Sequence, residues 1–157
     1  MNLVDELHAV ARALKVASIP YAVCGGVAVT MHGATRTTKD IDLLVPPEHI
    51  AAALEALRPL GYTFVALPMT FEAGTPRERH VQRVTKVEGR QHLIVDLIAE
   101  RGPFAGLLAD RVAVELPEGE VQLVSRATLE AMKRLAGRPQ DLADLAKLAE
   151  PEEAGDG

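Results

Sequence analysis

An apolar segment, a glycine pair and an acidic strand follow one another in an order that limits how this chain can fold. Residues 21–24 read as a short buried strand that runs into Gly25-Gly26, and Asp40-Ile41-Asp42 follows after thirteen intervening residues. Side chains at positions i and i+2 of a strand share one face, so Asp40 and Asp42 project together while Ile41 points into a core. The order strand, glycine turn, helix, strand predicts an α/β domain.

The paired carboxylates favour a cation. Like charges held this close repel each other unless a cation neutralises them, and Mg²⁺ typically takes one or two carboxylates together with substrate phosphates. Upstream, Val27 to His32 has the pattern of a helix whose N-terminal N–H groups would face an anion beside Gly25 and Gly26. A glycine pair or a D-x-D alone is an ordinary turn or strand end, but the two in this order favour a phosphate site.

A third acid lies in another apolar run. Residues 92–98 have strand character with Asp96 near the centre, and a buried unpaired carboxylate is unfavourable by several kcal/mol. Asp96 is therefore expected to face a metal or a cation. The alternative is an ion pair with an arginine such as Arg36 or Arg90.

Length and composition favour a single domain. The chain has 157 residues, of which 48% are apolar, which is enough for one core but not for the separate substrate domain of a large polymerase. We expect one domain over residues 1–149 and a disordered acidic tail over 150–157. The net charge of −5 argues against a bulk nucleic-acid binder.

Local patterns predict the elements between these motifs. The expected helices are Asn2 to Ala17 with Asn2 as N-cap, Glu48 to Leu60 closed by Gly61, Arg126 to Ala136 after the N-cap Ser125, and a last helix from Pro139. The expected strands are Tyr62 to Leu67, two hairpins over 80–99 and 111–124, and the strands named above. Residues 68–76 are expected to form a loop near the site. The basic stretch 77–90 could contact the phosphates of an acceptor, but it is interpreted mainly as a solvated face that blunts a sheet edge.

These motifs resemble a known superfamily. Gly25-Gly26, the acids Asp40 and Asp42, and a later strand with Asp96 resemble nucleotidyltransferases of the DNA polymerase beta type. More narrowly, residues 25–33, the segment Arg36-x-Thr38-x-Asp40, and the C-terminal stretch 129–145 resemble the AbiEii toxin group of toxin–antitoxin systems. The resemblance covers roughly residues 19–148. It implies the nucleotidyltransferase fold, a small mixed β-sheet flanked by helices, with C-terminal helices.

The resemblance also implies roles for individual residues. Asp40, Asp42 and Asp96 would be the catalytic triad and would ligate two Mg²⁺ ions. The nucleoside triphosphate would contact Gly25, Gly26, Arg36, Thr38 and Lys133. Two alternatives stay open: Lys133 as an exposed lysine of an amphipathic helix, and Arg36 as a partner of Asp40 or Asp42.

The implied reaction is Mg²⁺-dependent transfer of a nucleoside monophosphate to a hydroxyl, with release of pyrophosphate. The resemblance favours tRNA or a partner protein as acceptor, and a cognate toxin or antitoxin as partner. One departure is Val27, since active members often carry Ser or Thr at or directly after the glycine pair; Thr30, Thr37 or Thr38 are the hydroxyl residues nearby. The alternative is therefore a catalytically silent nucleotide-binding or protein-interaction module.

The remaining features indicate a cytoplasmic protein. Cys24 is the only cysteine, and its strand position suggests a small buried residue more than a nucleophile. The acidic N-terminus does not resemble a leader, and no apolar run approaches the length of a membrane span. A homodimer would give a small domain more room for an acceptor site.

Overall fold

A computed structural model describes residues 1–150 of the chain. The first helix, α1, spans Leu3–Val16, and the Asn2 side chain accepts a hydrogen bond of 2.9 Å from the Val4 N–H, which confirms the predicted cap. Its apolar stripe is buried, with Val10 and Leu14 fully covered. A helix that buries such a stripe is held mainly by packing, and α1 contacts the sheet.

An eight-stranded mixed sheet forms the centre of the fold. The strands are β1 Ala22–Cys24, β2 Asp40–Val45, β3 Tyr62–Val65, β4 Met69–Phe71, β5 Arg79–Glu88, β6 Gln91–Ala99, β7 Val112–Leu116 and β8 Gly119–Leu123. Their order is β3-β5-β6-β2-β1-β8-β7, and β4 also pairs with β5. The pairs β2–β6 and β1–β8 are parallel, and the other pairs are antiparallel.

Helices flank this sheet. They are α2 Gly25–Met31, α3 Ile50–Leu57, α4 Arg126–Ala136 and α5 Pro139–Ala149. Helix α1 packs on α3, whereas α2 contacts α4 and α4 contacts α5. Buried apolar side chains from these helices and the strands form one cluster, in which Ile41 and Leu43 of β2 are fully buried as predicted. The mixed sheet flanked by helices confirms the predicted fold class.

Several predicted boundaries are confirmed. The hairpin β5–β6 turns at Gly89, which has a φ of +62° and therefore needs glycine. Ser125 caps α4 by accepting a hydrogen bond of 3.1 Å from the Thr128 N–H, and Gly137 ends the helix. Helix α2 begins at Gly25, two residues earlier than predicted, so the glycine pair lies in its first turn.

Other predictions are wrong in part or entirely. The helix expected over 48–60 is present and ends at Gly61 as predicted, but only α3 is α-helical, and 3₁₀ turns at Pro47–His49 and Arg58–Leu60 form its two ends. The loop expected over 68–76 contains strand β4. The basic stretch is not a sheet edge, since β5 pairs with β6 on one side and with β3 and β4 on the other.

Within residues 1–150, the structure has no helix that combines the length and the apolar character needed to cross a membrane. The predicted acidic tail lies outside the described residues from position 151 onward.

Candidate active site

The three predicted acids meet at one level of the sheet. Strands β2 and β6 run parallel with Asp42 directly beside Asp96, and Asp40 lies two residues earlier on the same face of β2. All three acids line a cleft of about 360 Å³. Neighbouring strands are about 4.8 Å apart, so the register brings these carboxylates together as the sequence predicts.

The charge of Asp42 is poorly accommodated when no cation is present. Burial, together with the negative charges of Asp96 and Asp40, raises the pKa of Asp42 to about 7, although Lys133 and Arg138 act in the opposite direction. A divalent cation would remove this repulsion, and carboxylate oxygens are the ligands that Mg²⁺ prefers. Asp40 and Asp42 therefore suit a magnesium ion, and neither forms an ion pair within the described residues.

Asp96 is engaged by an arginine that the sequence interpretation did not select. Arg83 donates from Nε to Oδ1 at 2.9 Å and from Nη2 to Oδ2 at 3.0 Å, a two-point pairing of guanidinium and carboxylate. The alternative partners Arg36 and Arg90 are wrong. Arg83 lies opposite Asp96 because the hairpin pairs Glu88 with Gln91, and this register could have been read from the sequence.

This pairing bears on the predicted metal triad. Among residues 1–150, no three His, Cys, Asp or Glu side chains form a ready metal-binding group. Both Asp96 oxygens point to Arg83, so Asp40 and Asp42 are the carboxylates in position for a cation. Asp96 can join them only if the ion pair with Arg83 opens.

The two glycines allow a close approach to the acidic strand. Gly25 has a φ of +65°, and a Cβ placed on it would overlap the Asp42 carboxylate, only 2.7 Å from Cγ. A Cβ on Gly26 would lie 2.9 Å from Oγ1 of Thr38. Both positions therefore need glycine. Gly25, Gly26 and Thr38 all line the cleft, and no side chain caps the start of α2.

Arg36 also lines the cleft, but its predicted ion partners are wrong. Its Nε donates to Oδ1 of Asp144 at 3.0 Å, and its Nη1 donates to the carbonyl of Thr37. Its Cζ would be 3.5 Å from a Cβ on Gly26. Arg36 is thus held beside the glycine pair by a carboxylate that is 108 residues away in sequence.

Lys133 is buried, so its interpretation as an exposed helix residue is wrong. It is 6% exposed, and its Nζ lies 3.2 Å from Oδ1 of Asp141 and 2.9 Å from Oδ2 of Asp144. Gly137 turns the chain at the corner between α4 and α5 and allows these residues to meet. Burial acts to raise the pKa of both Asp141 and Asp144. Hydrogen bonds and positive charges outweigh burial, chiefly from Arg138 at Asp141 and from Lys133 at Asp144, so the pKa of each carboxyl lies below its ordinary value.

Arg138 completes this group. It donates from Nε to Oδ2 of Asp141 at 2.7 Å, and the same oxygen accepts from the Arg138 backbone N–H at 3.1 Å. The signal in the sequence was an arginine before Pro139 with an acid three residues further on, which is a helix-start pattern. We call the cleft side formed by α2, Arg36 and the α4–α5 corner the helical wall; its residues are Gly25, Gly26, Arg36, Thr38, Lys133, Arg138, Asp141 and Asp144.

The opposite side of the cleft belongs to β4 and β5. We call it the strand wall; its residues are Met69, Phe71, Arg79, Val81 and Arg83. The Arg79 guanidinium lies 5.8 Å from the centroid of the Phe71 ring, and Phe71 is 44% exposed. Nη2 of Arg79 pairs with Glu72 at 3.1 Å, whereas Nη1 is buried without a partner among residues 1–150. Strand β5 lies in the predicted hairpin, whereas β4 lies in the segment 68–76 that was expected to form a loop.

Two further residues have structural roles. Cys24 is fully buried, and burial raises the pKa of its thiol well above the ordinary value, which agrees with a packing role. The hydroxyl of Thr30 donates to the backbone carbonyls of Gly26 and Arg36, at 3.4 and 3.2 Å. Thr30 therefore supports the chain around the cleft, and Thr38 is the hydroxyl residue that lines it.

The fold is similar to that of solved nucleotidyltransferase structures. A candidate nucleotidyltransferase from Thermotoga maritima matches with a TM-score of 0.63 and 14% identity, over 92% of this chain and 89% of that one. ANT(2″)-Ia in complex with adenylyl-2″-tobramycin matches with a TM-score of 0.54 and 17% identity, over 92% and 86%. A solution structure of the antibiotic-resistance factor ANT(2″)-Ia gives 0.52 and 17%, over 92% and 81%. At such identities the likeness shows the fold, as predicted.

The sequence itself gives the family. No curated protein sequence matches the chain. A family described as uncharacterised nucleotidyltransferase matches residues 1–131, which include the glycine pair and all three acids of the cleft. The match covers well over half of the 157 residues. The chain therefore belongs to this nucleotidyltransferase family.

Proposed function

We propose that the protein transfers a nucleoside monophosphate from a nucleoside triphosphate to a hydroxyl group, with Mg²⁺, and releases pyrophosphate. The observation that carries this proposal is the set of three acids in the cleft, where burial, together with the charges of Asp96 and Asp40, raises the pKa of Asp42 to about 7. Acids held this close together are typical of a site that binds a cation together with phosphate groups. The family and the fold support transfer chemistry in general.

Residues of the helical wall are arranged to receive the triphosphate. Gly25 and Gly26 pack directly against Asp42 and Thr38, where any Cβ would intrude, so the backbone at the start of α2 lies next to the acidic strand. Arg36 and Lys133 add positive charge next to them, and Asp144 fixes both side chains. Positive groups held in place without a ligand need little reorganisation when phosphate binds.

The proposed reaction is an in-line displacement at the α-phosphorus. The acceptor oxygen forms a bond to this phosphorus while the bond to the oxygen bridging the β-phosphate breaks, and pyrophosphate leaves with that oxygen. Asp40 and Asp42 would hold Mg²⁺, which when bound stabilises charge on the phosphate oxygens. Asp96 accepts the proton of the attacking hydroxyl, directly or through water, once Arg83 has released one of its oxygens.

The acceptor stays a prediction at this level. The resemblance to the AbiEii toxin group favours tRNA or a partner protein, in a toxin–antitoxin setting. ANT(2″)-Ia, in contrast, was solved in complex with adenylyl-2″-tobramycin, so an aminoglycoside is a further acceptor to test. Aminoglycosides carry several positive charges, and the arginines Arg79 and Arg83 of the strand wall do not favour them.

The experiment offers each α-³²P-labelled nucleoside triphosphate, with Mg²⁺, to total RNA, to a protein extract and to tobramycin. The Asp40→Asn/Asp42→Asn double variant is assayed beside the wild type. We expect label in one of these acceptors and a loss of at least about 10³-fold in the double variant, since charge neutralisation is the main catalytic contribution. Equal labelling by both proteins would contradict the proposal.

A second candidate is a module that binds nucleotide without turnover. Val27 follows the glycine pair and offers no hydroxyl, and Arg83 occupies both oxygens of Asp96. Binding of a Mg²⁺–nucleotide complex with no labelling of any acceptor would favour this candidate. Isothermal titration with a non-hydrolysable nucleoside triphosphate, compared with the same assay, separates the two functions.

A further inference from the structure

The cleft residues follow one another across the sheet in a fixed sequence. The glycine pair follows β1, Asp40 and Asp42 are on β2, Asp96 is on β6, Arg83 and Arg79 are on β5, and Phe71 is on β4. Neighbouring strands pair in this same order, β1-β2-β6-β5-β4. The cleft therefore has two ends, the helical wall at one and the strand wall at the other, with the carboxylates between them.

This arrangement assigns a direction to the proposed reaction. An in-line displacement has the leaving group and the attacking oxygen on opposite sides of the phosphorus. Pyrophosphate beside Gly25, Gly26 and Lys133 would occupy the helical wall. The attacking hydroxyl then lies toward Asp96, and the rest of the acceptor extends over the strand wall.

The strand wall has the chemistry of a base-stacking surface. Phe71 and Arg79 are directly opposite each other on β4 and β5, so their side chains share a face with Arg83. Phe71 is 44% exposed although it borders the cleft. Aromatic rings with an adjacent arginine are the surfaces on which single-stranded nucleic acids stack their bases.

Charge at this end of the cleft also selects the acceptor. Arg79 keeps one guanidinium nitrogen, Nη1, without a partner within residues 1–150. Arg77, two residues before Arg79, adds a second positive charge on this side of the cleft. Glu72 offsets part of this charge through its pairs with Arg77 and Arg79. The balance favours an anionic acceptor over a polycationic sugar.

The spacing fits a strand of nucleotides. Arg79 and Arg83 are four residues apart on β5, and Arg83 is opposite Asp96. Four residues of a strand extend roughly 13 Å. A hydroxyl at Asp96 and a base on Phe71 are thus separated by a distance that a short nucleic-acid end can bridge, whereas a small acceptor would not reach both.

Resting on the proposed function, we propose that the strand wall is an acceptor subsite for the single-stranded 3′ end of a nucleic acid, with a base stacked on Phe71 and a phosphate at Arg79. The subsite selects nucleic acid by its flat bases and negative charge, and base identity contributes little, because every base offers a π-face. The attacking group is the terminal ribose or deoxyribose hydroxyl, which loses its proton as the phosphodiester bond forms.

Binding is measured without turnover. A short fluorescein-labelled single-stranded RNA, and a DNA of the same sequence, are titrated with the full-length protein and followed by fluorescence anisotropy. We expect Phe71→Ala to weaken binding of the oligonucleotide roughly 5- to 150-fold and Phe71→Trp to retain it. Arg79→Gln should lower the salt dependence of binding by about one phosphate contact, a change of roughly 0.7 in the logarithmic slope.

Phe64→Ala is the matched control. Phe64 is a phenylalanine of the neighbouring strand β3, is 62% exposed and does not border the cleft. Its replacement should leave binding unchanged. Equal affinities for Phe71→Ala and Phe64→Ala, or no binding of either oligonucleotide by the wild type, would overturn the subsite. Circular dichroism verifies that each variant is folded.

The same measurement separates this subsite from the proposed reaction. Oligonucleotide binding that depends on Phe71, in a protein that labels no acceptor, would retain the subsite and reject the transferase. Labelling that survives Phe71→Ala with an unchanged KM for the oligonucleotide would retain the transferase and reject the subsite. A preference for RNA over DNA would indicate a contact with the 2′-hydroxyl.

Discussion

The helical wall and the strand wall of the cleft hold their charged side chains in different ways. In the helical wall, Lys133 is 6% exposed and contacts two carboxylates, and Asp144, which is fully buried, contacts Lys133, Arg36 and Gln140. In the strand wall, Arg83 has a side chain that is 38% exposed and a single carboxylate partner. Around Lys133 and Asp144 the helical wall is a connected buried network, whereas in the strand wall the pairs Arg83–Asp96 and Arg79–Glu72 share no residue and each has a partly solvated member.

This difference indicates which side of the cleft is rigid. A buried network resists rearrangement, since opening any pair leaves a desolvated charge without its partner. The Arg83–Asp96 pair opens more easily, because the Arg83 side chain is 38% exposed and can exchange its partner for water, although Asp96 is largely buried. Under the proposed function, the triphosphate would meet the rigid wall, and the variable acceptor would meet the adaptable one. Release of Asp96 by Arg83 would also take place on the adaptable side.

The largest expected effect tests the rigidity of the helical wall. Lys133→Met removes the shared cation of Asp141 and Asp144, and we expect the free energy of unfolding to fall by about 3–5 kcal/mol. Urea denaturation measures this change. The control is Arg134→Met on the same helix, whose partner Glu130 is one turn away and whose side chain is 64% exposed. Its effect should stay below about 0.5 kcal/mol, and a similar loss in both variants would break the comparison.

The next effect concerns the glycine that touches the acidic strand. Gly25→Ala places a methyl group against Asp42, so we expect a loss of stability of about 2–4 kcal/mol and loss of Mg²⁺-dependent nucleotide binding. Gly89→Ala is the matched control, because Gly89 has a φ of +62°, close to the +65° of Gly25, but open space around it. It should lose only about 1–2 kcal/mol, from backbone strain. Thermal unfolding measures the loss of stability in both variants, and nucleotide titration measures the loss of binding. Equal losses of stability would mean that backbone strain at positive φ accounts for the whole effect and that the contact with Asp42 adds nothing.

The acids between the walls predict a dependence of stability on pH. The pKa of Asp42 is raised from 3.8 in the reference state to about 7 in the folded protein, so the folded state binds this proton more tightly. Stability from this group is present below about pH 4 and is lost as the pH rises toward 7. In metal-free buffer, Asp42→Asn should therefore gain stability relative to the wild type between pH 5 and pH 8, on the order of 2 kcal/mol. A difference that is constant with pH would contradict this expectation.

Local signals in the sequence predicted much of the fold. The caps at Asn2 and Ser125, the turn at Gly89 and the corner at Gly137 are each defined by a few neighbouring residues, and the structure confirms them. The carboxylates were also predictable, because a strand places alternate side chains on one face. Strand β4 was not predictable, because its three residues are half-buried or exposed and lack the apolar run that marks the equally short β1.

Charge partners were the least predictable feature of the site. Arg36 and Asp144 are 108 residues apart in sequence, and only the packing of the α4–α5 corner brings them together. The burial of Lys133 has the same origin, because an amphipathic helix pattern does not tell what covers its polar face. The pair Arg83–Asp96 is the exception, since the hairpin turn fixes its register.

The smallest effect tests whether the strand wall is adaptable. Arg83→Met leaves the largely buried Asp96 without its partner beside Asp42, and we expect the free energy of unfolding to fall by about 1–2 kcal/mol in EDTA, a loss that stays modest because water reaches the partly exposed Arg83 position. Added Mg²⁺ should cancel most of this loss, since the freed carboxylate can then join Asp40 and Asp42 around the cation. Lys86→Met is the control: Lys86 is on the same strand and pairs with Glu6 at 2.8 Å, away from the cleft. With Mg²⁺ added, the melting temperature of Arg83→Met should approach that of the wild type, whereas the melting temperature of Lys86→Met should stay as far below it as in EDTA. An equal rise in the melting temperature of Lys86→Met would mean that Mg²⁺ stabilises the whole protein and does not act on these acids.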